Sequence, residues 1–264
     1  MTSSRRARVT TGARDAQPGA PVEPDRIVFI ASARGDSSAG ESMGAVVLCW
    51  PTVPQAWVGI GHSLRAMLEE RGKTLPGVPL PERASWLRDC APQLAAPFQR
   101  TALAEEASVA ALLSRTPMRV AIAVTGVDPR RAAVTKFHGT PLEVCLTTFD
   151  HEARSASQRD CALAISTSQP DSIQVEYRDG LKAARDRLPG SIPLRGLQLD
   201  FWPGGTEPLP LELAKVVATS VLRHLQSGGD VDSVFDAAKT KFANDPFPRG
   251  WGKSRLRRTV RSGS

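Results

Sequence analysis

The sequence predicts an α+β fold: a largely antiparallel sheet flanked by helices, in one domain running from about residue 26 to 245. Three observations predict it. β-Branched runs near the start are joined by short loops, which favours antiparallel neighbours over crossovers. Later stretches place apolar residues every three or four positions, the period of a helix with one buried face. The composition, 41% hydrophobic and 23% charged, lets a chain of 264 residues bury a sizeable core.

Residues 1–25 lack periodicity and are rich in Ser, Thr, Gly, Pro and Ala, so they read as a disordered arm. Order begins at RIVFIASA (26–33), a strand. RGDSSAGES is a turn, GAVVLCW (44–50) a second strand and AWVGI (56–60) a third, completing a meander. A helix follows in SLRAMLEERG, closed by Gly72, and another in PERASWLRDCAPQL, opened by Pro81. TALAEEASVAALLSR (101–115) is strongly helix-forming behind Thr101. MRVAIAV (118–124), AAVTKFH (132–138) and LEVCLTTF (142–149) read as strands, and FDHEARSASQRD as a polar loop.

CALAIST (161–167) and SIQVEY (172–177) fit a hairpin, or a lead into the helix GLKAARDRL. LRGLQLDFW (194–202) alternates with period two and reads as a strand. PLELAKVVATSVLRHLQSGG is the clearest helix: Leu213, Val217, Val221 and Leu225 recur every four residues. VDSVFDAAKTKFAND supplies a last short helix, and residues 246–264 read as a basic disordered tail.

Composition bounds the function. Aromatics make up 5% of the chain, with one tyrosine, so a stacking platform for bases is not expected on the body. No apolar run approaches the roughly 20 residues of a membrane span, and the arginines at the start precede no apolar segment. Cys49, Cys90, Cys145 and Cys161 stand far apart with no CxxC pair. The expectation is a cytoplasmic protein with neither disulfides nor a zinc site, no membrane partner and no cofactor. Six of the seven net positive charges fall in the last sixteen residues, on Arg249, Lys253, Arg255, Arg257, Arg258 and Arg261, with no acid among them. The body is almost neutral, so a nucleic acid or other polyanion would meet the tail first.

The stretch that most resembles a site is GIGHSLR. A nucleophile elbow needs G-x-S-x-G, and Arg65 stands where a small residue must; a dinucleotide fingerprint fails because Leu64 takes the third glycine's place. The turn therefore reads first as a connector. Its second reading is an anion site made by Gly61, Ser63 and Arg65 at the start of a helix. Enzymatic candidates are His62, Ser63, Asp128 and His151 on strand-end loops, with Glu176, Asp179 and Asp200 as further carboxylates. The triplet Asp150-His151-Glu152 could ligate a metal but reads as a solvated loop, and no metal is expected. No PD-(D/E)xK pattern is met.

FIASARGDSSAGESMGAVVL followed by AEEASVAALLSRTPMRVAIAV resembles the strand–turn–strand and helix–strand of ribonuclease H, with Ala31 where that family's metal-binding aspartate belongs. RVAIAVTGVDPRRAAVTKFHG resembles the central strand pair of N-terminal-nucleophile hydrolases, for which Thr10-Thr11-Gly12 is the one candidate start. Each likeness implies an architecture and brings no catalytic set. The favoured expectation is a non-catalytic protein binding a polyanion through its basic tail; the alternative is a hydrolase-like enzyme with a site on strand-end loops.

Overall fold

The computed structural model describes residues 24–37, 40, 42–60, 63, 106–126, 139–155, 161, 163–167, 169–202, 208–229, 232–245 and 247. A 3-10 turn, Pro24–Arg26, leads into β1 (Ile27–Asp36) and β2 (Ser42–Pro51). Helix α1 (Glu106–Arg115) precedes β3 (Met118–Thr125), and α2 (Pro141–Ser155) precedes β4 (Leu163–Thr167). Then come α3 (Asp171–Arg187), the single turn α4 (Ile192–Arg195), β5 (Gln198–Trp202), α5 (Leu209–Gln226) and α6 (Ser233–Lys239).

The strands form one mixed sheet in the order β3-β2-β1-β4-β5. β2 runs antiparallel to both its neighbours over eight paired positions each, whereas the parallel pairings of β4 with β1 and β5 span four and five. Helices flanking a largely antiparallel sheet are thus the architecture that the sequence predicts.

Residues Ile27–Ala31 are at most 1% exposed, because β1 is central and covered on both faces. On one face Phe29, Val47, Val120 and Ile165 meet Leu213, Val217 and Val221 of α5, Phe235 of α6 and Leu112 of α1. On the other, Val28, Ile30, Leu48 and Ala164 meet Cys145, Leu146 and Phe149 of α2 and Tyr177, Leu181 and Ala184 of α3. Each fully buried aliphatic or aromatic side chain stabilises the fold by about 1.5–3 kcal/mol before the entropy of ordering is subtracted. Gly180 lets α3 approach α2 closely: a Cβ there would stand 2.6 Å from Thr140 Oγ1.

Several local expectations are corrected. Residues 56–60 are helical, with Trp57 donating from Nε1 to the Ile27 carbonyl at 2.9 Å and packing edge-on to Phe29. LEVCLTTF lies inside α2, since Thr140-Pro141-Leu142-Glu143 is a capping box in which Thr140 Oγ1 accepts from the Glu143 amide. The polar loop expected from Phe149 is helical through Ser155. SIQVEY belongs to α3, whose buried side chains Tyr177, Leu181 and Ala184 follow helical spacing. Of LRGLQLDFW, only Gln198–Trp202 is strand. AAVTKFH, most of the two helices expected within residues 63–94, the N-terminal arm before Pro24 and the tail apart from Phe247 lie outside the described residues.

Candidate functional site

Of the candidate catalytic residues, Ser63 and His151 are among the described residues. Ser63 is helical and half-buried, and Gly61, His62, Arg65 and Asp128 lie outside the described residues. The described residues before Gly61, 56–60, are helical and not the strand that the sequence predicts. His151 is exposed on α2. Its neighbours are both engaged: Asp150, 4% exposed, accepts from Arg154 Nε at 2.8 Å, and Glu152 from Arg119 at 3.2 Å. On a helix, successive residues point about 100° apart, so the triplet cannot converge on one ion. Among the described residues no group of three His, Cys, Asp or Glu side chains could hold a metal. Glu176, expected at a strand end, lies on α3 and pairs with Arg34 of β1 at 3.2 Å, and Asp179 also lies on α3.

Sites in open α/β sheets lie outside the carboxyl ends of parallel strands, where the chain switches direction across the sheet. Here that point lies between β1 and β4. Its α2/α3 side carries Ser32 of β1, Ser166 of β4 and Tyr177 of α3. The Tyr177 ring lies 6.3 Å from Phe201 of β5, while its hydroxyl faces Ser32, so the phenol spans β4 above Ser166. Neither the Tyr177 hydroxyl nor Ser166 Oγ meets hydrogen-bond geometry with any group, although both residues are at most 1% exposed. Burial pushes the Tyr177 phenol up to about 12, with Ser32 pulling less strongly the other way. It is neither a base nor a nucleophile near neutral pH. Ala31 faces the α5 core on the opposite side of the sheet. Among the described residues the crevice therefore holds hydroxyls and the Arg34–Glu176 pair.

A second feature leads toward the basic segment. After α6 the chain lies against the free edge of β3. The Val120 amide donates to the Lys241 carbonyl at 2.9 Å, and the Ala243 amide to the Val120 carbonyl at 2.8 Å. Asn244 then replaces a peptide group: its Oδ1 accepts from the Ile122 amide at 2.9 Å and its Nδ2 donates to the Ile122 carbonyl at 2.7 Å. Phe247 is held by aromatic contacts to His224, Phe235 and Phe242, with His224 stacked on Phe235 at 3.9 Å. The last described residue, Phe247, stands two positions before Arg249. The tail cations themselves lie outside the described residues. The sequence reading missed this strap because no periodic signal marks a four-residue edge pairing; its one legible trace is an Asn close behind a helix end.

Around the strap, cations outnumber free acids. Lys241 Nζ donates to the Ser114 carbonyl at the end of α1 at 3.0 Å, and Arg115 and Lys239, the last residues of α1 and α6, are exposed. Desolvation lowers the Lys241 pKa. No family model, no curated protein and no solved structure matches the chain.

Proposed function

We propose that the protein is a non-catalytic interaction protein that binds a polyanion, nucleic acid, through residues 249–264, without reading base sequence. The observation that carries this is the segregation of charge: six cations and no acid in the last sixteen residues, on a body of almost no net charge. The strap supports it, because it holds Phe247, two residues before Arg249, against the fold. A cytoplasmic location belongs to the same reading; buried thiols at Cys49, Cys145 and Cys161 suit a reducing compartment, and no helix among the described residues is long and apolar enough to cross a membrane.

The test is binding to labelled oligonucleotides as salt is raised. Each neutralised phosphate releases condensed counterion, giving a log–log slope of about −0.9 per contact on duplex DNA, so six cations alone give at most about −5. Deleting residues 249–264 is expected to abolish binding at about 150 mM salt and leave the melting temperature within a degree or two. If the truncated chain binds as tightly as the whole, the tail reading is wrong.

The second reading, a hydrolase-like enzyme, is favoured by one observation. The order β3-β2-β1-β4-β5, with β2 alone reversed, is that of the ribonuclease H-type sheet that FIASARGDSSAGESMGAVVL resembles. A shared sheet carries no chemistry by itself, and the hydroxyls at the β1/β4 crevice supply no acid–base pair. Divalent-dependent cleavage of RNA or DNA by the full chain, abolished by a crevice variant such as Ser32→Leu, would reverse the preference.

A further inference from the structure

We infer that the folded body contributes its own phosphate-binding surface, formed by Arg115, Lys239 and Lys241 where the carboxyl ends of α1 and α6 meet beside the strap. The inference rests on the tail reading and extends it, since sequence arithmetic leaves the body no part in binding.

The geometry fixes the cluster. Lys241 Nζ sits on the Ser114 carbonyl, which places its ammonium next to Arg115. Lys239 closes α6 two residues earlier, and the Lys241 amide donates to the Ala238 carbonyl at 2.8 Å, folding those residues into one tight turn. Neither Arg115 nor Lys239 makes an ion pair among the described residues. The three cations outnumber the exposed acids on α6 and the strap, Asp236 and Asp245. Asp232, at the far end of α6, accepts from the Phe235 amide, Ser220 and Arg223, and Asp245 accepts from the Phe247 amide at 3.1 Å while remaining exposed. Asp236, one turn before Lys239, is the one acid left facing solvent on α6.

Cations at helix ends are ordinary, because the macrodipole favours them there by about 0.3–1 kcal/mol each. That accounts for one cation per helix. Lys241 in turn caps α1; what capping does not account for is the meeting of all three cations beside the strap. A phosphate backbone held by residues 249–264 is tethered to the same molecule as these cations, within two residues of Phe247, which is fixed on the fold. The partner is a nucleic-acid backbone and not a base edge, since no described aromatic or amide side chain stands exposed among them.

The test compares four full-length or truncated chains on a labelled 20-base-pair duplex by fluorescence anisotropy: unchanged, Arg115→Glu/Lys239→Glu, lacking residues 249–264, and both changes together. Lys241 is left in place because it caps α1. With nine cations engaged, the slope steepens from the tail's ceiling of about −5 toward about −8. The charge-reversed pair should lose at least tenfold in affinity at 50 mM salt, and its slope should shrink by about 2. The truncated chain should keep weak binding at 20 mM salt that the reversal removes. Arg115→Ala/Lys239→Ala, with its melting temperature recorded, gives the same change in slope should the reversed pair fold poorly. If neither pair alters affinity or slope while truncation abolishes binding at every salt concentration, the body surface is refuted and the tail reading stands. If the unchanged chain shows no binding at 20 mM salt, both fail together.

Discussion

The two edges of the sheet solve the same problem by different means. β3 and β5 each present unpaired backbone groups, which invite pairing with another chain. On β3, residues 241–244 take up both polar groups of Val120 and, through one side-chain amide, both groups of Ile122. On β5, no described segment pairs with the edge. Instead the strand is five residues long, and Asp200 Oδ1 accepts from the neighbouring Phe201 amide at 2.8 Å, while Arg178 lies over the Phe201 ring at 5.3 Å. One edge is sealed by added chain; the other is kept short, charged and turned in on itself. Sealing ties an edge to tertiary structure, so its loss should cost stability. Blunting uses only local groups, so its loss should cost solubility.

The largest expected effect is on the sealed side. Phe235→Ala removes a 2% exposed ring that touches Phe242 and Phe247, and should cost about 3–5 kcal/mol in denaturant unfolding. Phe201→Ala, at the half-buried β5 edge, should cost clearly less, and equal losses would undo the contrast.

Alkaline pH probes what lies beneath the two halves. Burial raises Cys49 to about 12, raises Cys145 as well, and raises Tyr177 to about 12. Groups whose folded pKa is raised hold protons that the unfolded chain has already released. Stability is therefore intact below about pH 9 and falls above it, by about 1.4 kcal/mol per pH unit for each such group, until the folded pKa is reached. Tyr177→Phe should remove its share above about pH 10 and leave the thiol share unchanged, as seen in melts taken from pH 8 to 11.

Asn244→Ala should cost about 1–3 kcal/mol, because the Ile122 amide and carbonyl both lose partners at a half-buried position. Hydrogen exchange at Ile122 should quicken, with the β5 amides unaffected. The smallest effect on stability belongs to Asp200→Val. It should change the melting temperature by only a degree or two, yet promote self-association on a sizing column; a strictly unchanged elution at high concentration would show that β5 is protected by something other than its charge.

Legibility followed the strength of local pattern. β1, β2, β3 and α5 were readable because their buried residues dominate their composition: Ile27–Ala31 for β1, and Leu213, Val217 and Val221 for α5. α2 and α3 were misread because Val144, Thr147 and Thr148, or Ile173 and Val175, carry strand propensity at positions where packing decides instead. The helical reading was available in Leu142, Cys145, Leu146, Phe149 and Ala153, and in the capping box ahead of them. The crevice and the strap were illegible for another reason. Tyr177 meets Ser32, Lys241 meets Ser114, and Asn244 meets Ile122 only through pairings more than a hundred residues apart in sequence. No local period records such meetings.

The strap also sets how the molecule bears load. Tension applied beyond Phe247 would bear first on its aromatic contacts, then on the Asn244 amide. Because both bonds of that amide end on one residue, Ile122, they stretch together and yield as a pair. Load on the strap would therefore pass into β3 at two residues, Val120 and Ile122.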